Sequence, residues 1–120
     1  MQHQKCGLFV LTMLHSATNA HLMHFKTRSF SQHMALGEYY DEIVDLVDTL
    51  VESYQGKYGI VEQYPDVYHS PKDPIKYFES LQRFVADGRK DLPQDSELQN
   101  IIDEIADLIN TTTYKLKFLG

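Results

Sequence analysis

The chain has 120 residues, 42% apolar, 23% charged and 12% aromatic; that amounts to one domain spanning 1–120 with enough apolar mass for a packed core, and it excludes wholesale disorder. Eleven basic against seventeen acidic residues leave a net charge of −6, which excludes a dedicated nucleic-acid binder with a broad basic face. The single cysteine, Cys6, excludes a disulfide framework or a multi-cysteine zinc site, and no apolar run is long enough to span a bilayer.

Charge is unevenly placed. Residues 1–37 contain no Asp or Glu, yet hold five of the six histidines, His3, His15, His21, His24 and His33. All seventeen acids follow from Glu38 onward. Met1 to Lys5 with the apolar run Cys6 to Leu14 makes a poor secretion signal: one lysine, a short apolar stretch and no clean small-x-small site. A cytoplasmic location is expected.

Four helices are predicted, with little strand signal. The first runs from about Gln4 to Lys26, with Val10, Leu14, Ala17, His21 and His24 on one face and Phe9, Met13 and Ala20 beside it. So few charges on so long a helix predict burial on more than one side. After the break Thr27-Arg28-Ser29, a second helix spans about Ser31 to Gln55, capped by Ser29 or Ser31 and stopped by Gly56. Its apolar stripe is Leu36, Tyr40, Ile43, Val47, Leu50 and Tyr54, opposite an acidic stripe of Glu38, Asp41, Asp45, Asp48 and Glu52.

Lys57 to Asp73, punctuated by Gly59, Pro65 and Pro71, is too long for a tight helical hairpin and predicts a crossover with one short turn near Ile60 to Gln63. Tyr58, Tyr64 and Tyr68 are expected to pin it, whereas His69 finds no obvious partner. Pro74 suits the first turn of a third helix facing inward through Ile75, Phe78, Leu81 and Val85 and ending near Gly88. Ser96 and Gln99 read as a capping box for a fourth helix, whose stripe is Leu98, Ile101, Ile105, Leu108, Thr112, Leu116 and Leu119. Short first and third connections around a long second one predict an all-α, ferritin-like four-helix bundle with a long crossover between the second and third helices.

Three groups could carry chemistry. His21 and His24, three apart, share one helix face and could hold a divalent metal. Asp48 and Glu52, one turn apart, could clamp Fe²⁺ or Mn²⁺; the bland alternative is a solvated helix face. His33 shares a wheel angle with Gly37, Val44 and Val51, and lies close in angle to Asp48, about four turns away. One helix cannot bring His33 to Asp48. Two antiparallel copies across a two-fold axis can, and the small Gly37 suits such a seam.

The stretch from Ala20 to Tyr54 resembles the Dps-like miniferritins of the ferritin-like superfamily. A His-aromatic pair, His24-Phe25, closes the first helix where those proteins usually have His-Trp. His33 follows at the start of the second helix, and Asp48-x-x-x-Glu52 comes fifteen residues later. The resemblance implies an iron-oxidising site shared across a dimer, with His24 and His33 from one subunit and Asp48 and Glu52 from its neighbour, in a homo-oligomeric and dodecameric shell. Glu38 and His21 are further candidate ligands. The chain departs from that pattern: the loop between the two histidines is three residues shorter, and Gly37 stands where an Asp is usual. Lys5 is the only basic residue near the start, so DNA binding is not expected, and the brevity points to a divergent member from a phage or another compact genome. The Glu-x-x-His motif of ferritin-type bundles is absent.

The readings left open are an iron-oxidising storage or stress-protection protein using non-haem iron, an assembly protein with a degenerate metal site, and a simple Zn²⁺- or Mn²⁺-binding regulator. Cys6 reads as a core residue.

Overall fold

The structure, a computed structural model, describes residues 2–119; Met1 and Gly120 lie outside them. The described residues form four α-helices, α1 (Gln2–Lys26), α2 (Phe30–Tyr58), α3 (Pro74–Gly88) and α4 (Ser96–Phe118), with a 3₁₀ turn at Arg89–Asp91. No strand occurs among them, and no helix is long and apolar enough to cross a membrane. At 1.5 Å per residue, the 29 residues of α2 account for the 43 Å long axis of the molecule.

Helix directions follow from side-chain pairs. Ser16 meets Tyr39, and His3 meets Tyr54, so α1 and α2 are antiparallel. Lys115 reaches Glu38 while Tyr58 reaches Asp95, so α2 and α4 are antiparallel. Phe9 stacks on Phe84 and Asn19 bonds Tyr77, so α3 opposes α1. Tyr39 meets Phe78 edge to face, which puts the starts of α2 and α3 at the same end. Residues 59–73 therefore travel back along α1, past Gly7, His15 and Asn19.

One core runs through all four helices, from Cys6 to Leu116. On α1 it is Cys6, Phe9, Met13, Ala20 and Met23, with Val10 and Ala17. Leu14 and His21, expected on that face, are exposed. The reason is the paucity of charge on α1, which leaves the wheel without a polar side to orient it. On α2 Tyr39, not Tyr40, fills the core, because its hydroxyl finds Ser16 Oγ at 2.7 Å. Ser16 Oγ itself donates to Met13 O, so the buried phenol is the donor. Burial pushes its pKa far above the usual tyrosine range. On α4 the buried stripe is Leu98, Ile102, Ile105, Ile109, Thr112 and Leu116; Ile101 and Leu108 flank it and Leu119 is exposed. Cys6 is buried as expected, and burial pushes its thiol up to about 11.

The helix ends show which local signals win. Ser29 caps α2, its side chain accepting from Gln32 N, and Asp73 caps α3 ahead of Pro74. Gly56 does not stop α2. The helix runs one turn further to Gly59, whose φ of 103° only glycine adopts readily and whose N–H bonds Gln55 O. No helical turn forms at residues 60–63. The Ser96–Gln99 capping box is not made: the residue preceding the helix is Asp95, and Gln99 instead donates to Arg89 O and Pro93 O.

Asn19 fastens the long connection. Its Nδ2 donates to Tyr77 Oη at 2.9 Å and to the His69 carbonyl at 3.3 Å, and its Oδ1 accepts from Tyr68 Oη at 2.6 Å. His69 thus finds a partner through its backbone, while Tyr64 stays exposed. Asn19→Ala is expected to cost about 1–3 kcal/mol, because three polar groups lose their partner together. A lowered urea midpoint at unchanged slope would show it.

Asp95 fastens the opposite end. Lys57 Nζ and then Tyr58 Oη donate to its carboxylate and hold its pKa below the usual range. A depressed native pKa contributes stability above the unfolded value, near 4, and that contribution is lost as pH falls through the native value. Melting temperature should therefore drop more steeply below about pH 4 in the wild type than in Asp95→Asn. Equal slopes would count against the pairing.

Candidate metal centre

His24 sits on the last turn of α1 and His33 on the first turn of α2, joined by a tight link. Thr27 N bonds Met23 O, and Ser29 N donates to Thr27 Oγ1. This turn folds the two imidazoles onto each other, centroids 3.6 Å apart and planes within 19°. His24 Nδ1 lies 2.6 Å from the His33 carbonyl, and His33 Nδ1 lies 2.9 Å from the His24 carbonyl. A carbonyl oxygen only accepts, so both Nδ1 atoms carry the proton and donate. In the neutral rings that leaves both Nε2 lone pairs for a ligand, the tautomer that backbone carbonyls commonly impose on metal-binding histidines.

Other rings surround the pair. His21 stacks on Tyr40 at 4.0 Å, while its centroid stands 6.3 Å from that of His24. Tyr40 meets His24 edge-on, and Phe25 packs beside His21. Tyr40, expected in the core, is thus a platform for imidazoles. Phe25 and Phe30 remain 68% and 75% exposed.

Gly37 has a specific neighbour. A Cβ there would stand 3.1 Å from His24 Cε1 and 3.3 Å from its Nδ1. The glycine makes room for the His24 ring at the position where the resemblance leads one to expect a carboxylate.

Asp48 and Glu52 lie further along α2, exposed, with no ion pair or side-chain hydrogen bond to other described residues. Within one chain they do not join the histidines. Among the described residues, no group of three or more His, Cys, Asp or Glu is placed to hold a metal. Glu38 is engaged by Lys115 at 2.7 Å rather than turned to the histidines. The outward face of α2 that carries Asp48 also presents Phe30, Met34 and Val44, all exposed, with Gly37 between them. Elsewhere Glu42, Asp45, Glu104 and Asp107 line a groove of about 340 Å³ between α2 and α4, which the one-helix acidic stripe did not reveal.

No curated protein and no solved structure matches the chain. A known sequence family matches residues 24–116, from the first histidine of the stacked pair to the last core leucine of α4. Those residues are most of the sequence, and the chain therefore belongs to DUF5856, a family of unknown function.

Proposed function

We propose that this protein is a Dps-like, ferritin-like iron-handling unit that oxidises Fe²⁺ at a site completed by a second copy of itself. The observation that carries the reading is the reciprocal pairing of His24 and His33: each Nδ1 is committed to the other residue's carbonyl, which leaves both Nε2 atoms for a ligand. Two imidazole nitrogens and the carboxylates of Asp48 and Glu52 make a mixed N/O donor set suited to Fe²⁺, with Mn²⁺ and Zn²⁺ as competitors. Neither carboxylate is engaged by another side chain among the described residues, which leaves their oxygens open to a metal. They share an exposed α2 face with apolar side chains, and two such faces packed antiparallel would bring the His end of one helix to the carboxylate end of the other. Ferrous ion is the substrate: each iron gives one electron, and one peroxide takes two. The protein's part is to hold the ions and fix their ligands' orientation.

A second reading, an assembly protein without iron turnover, is favoured by Gly37. With His24 filling the space above it, the usual third carboxylate has no place, and the stacked histidines already serve as a clasp for the α1–α2 turn.

Anaerobic Fe²⁺ titration at neutral pH, followed by a peroxide pulse with absorbance and particle size read together, separates the two. Saturable binding of one or two irons per subunit at about neutral pH, with rapid oxidation in an oligomer, is the expected result. An oligomer that binds no iron would establish the assembly reading instead.

A further inference from the structure

We propose that the end of the bundle where α1 meets α2 and α3 binds a small phosphomonoester carrying an apolar substituent. A hollow of about 510 Å³ opens there, within the size range of small-molecule sites. Its walls come from the end of α1, the start of α2 and the residues leading into α3. Lys26 and Lys72 stand on it, and neither has an ion-pair partner among the described residues. In a chain with seventeen acids, no carboxylate lines this hollow. The nearest in sequence, Asp73, is spent on the N–H groups of Ile75 and Lys76.

Gln32 adds a further donor. Thr27 Oγ1 gives its proton to Gln32 Oε1, which leaves the Gln32 amide NH₂ without a partner among the described residues. Met23, Pro71 and Pro74 supply apolar surface beside these donors. Two unneutralised ammonium groups match the charge of −1.5 to −2 that a phosphomonoester carries at about pH 7, and lysine serves phosphate well as a point charge. The apolar wall accounts for the substituent. The same chemistry could be presented by a soluble metabolite or by a phosphatidic acid headgroup.

The test uses the metal-free full chain with phenyl phosphate, sodium benzoate, and vesicles with and without phosphatidic acid. Saturable binding of phenyl phosphate by calorimetry is expected, tighter than benzoate and weakened by added salt. Lys26→Gln or Lys72→Gln should each weaken it about tenfold, while Lys5→Gln, on the first turns of α1, should not. Binding of phenyl phosphate in solution assigns a soluble ligand; binding only to phosphatidic acid vesicles, with the same lysine dependence, assigns the lipid headgroup. Benzoate binding as tightly as phenyl phosphate would overturn the phosphate assignment. Unchanged affinity in the double lysine variant, or no binding to either probe, would overturn the site.

Discussion

Replacing Gly7 by alanine is expected to destabilise the protein by about 1–3 kcal/mol, the usual cost of forcing an extra carbon into filled space. Two effects oppose each other. Alanine is the better helix former by about 1 kcal/mol, and Gly7 lies within α1. Against this, its added Cβ would fall on the carbonyl oxygen of Gln63, where the long connection crosses the helix. That neighbour is backbone and cannot swing aside as a side chain could. Either the connection lifts away, exposing the buried Val61, or α1 shifts against the core. Gly56→Ala is the internal control. It too is helical, but nothing lies within 4 Å of its added Cβ. There the helix term stands alone and predicts a gain of up to about 1 kcal/mol. Chemical denaturation of both variants should give opposite signs; a stabilised Gly7→Ala would mean that the connection does not lie on α1 as described.

Gly7 also marks the limit of what local pattern reveals. The four helices were legible because apolar spacing repeats over many turns; Pro74 marked the start of α3, and of the two serines that could cap α2 it is Ser29 that does. Apart from the face of α1, which too few charges orient, what failed was each choice settled by a partner outside the local pattern. Gly56 and Gly59 look alike as stop signals. The helix ends at the second, where Gln55 also turns its side-chain oxygen to Val61 N. Tyr39 and Tyr40 are neighbours of equal character, and a serine on another helix decides which is buried. Ser96 and Gln99 have capping-box spacing, yet Arg89 engages Gln99 through both its side-chain and its backbone oxygen.

The candidate centre divides the same way. His24 and His33 were paired only by the resemblance, whereas spacing alone paired His24 with His21; the fold does bring His24 and His33 together. Their reciprocal bonds to each other's carbonyls could not be read, since these depend on the geometry of a three-residue turn. Gly37 was readable only as a missing ligand. In three dimensions it is the seat of the His24 ring, a role a sequence pattern cannot express.

Mixing two inactive variants tests the shared site directly. Asp48→Asn removes an exposed carboxylate with no partner among the described residues, so it should abolish iron oxidation and leave the melting temperature unchanged. His33→Asn places an amide nitrogen about where Nδ1 sits. It can keep a donor for the His24 carbonyl while deleting the Nε2 lone pair. It too should be inactive, at a modest stability cost from the lost ring stack. If the site joins the histidines of one subunit to the carboxylates of another, a mixed dimer holds one intact site and one doubly defective site. Random re-association of equal amounts makes half the dimers mixed, so about one quarter of wild-type activity should return. A site confined within one subunit would return none, because every chain in the mixture is defective. Restoration thus requires both that iron is oxidised at these residues and that the two-fold seam exists. Inactive parents that remain inactive after mixing, under conditions where mixed dimers are shown to form, would exclude the shared site.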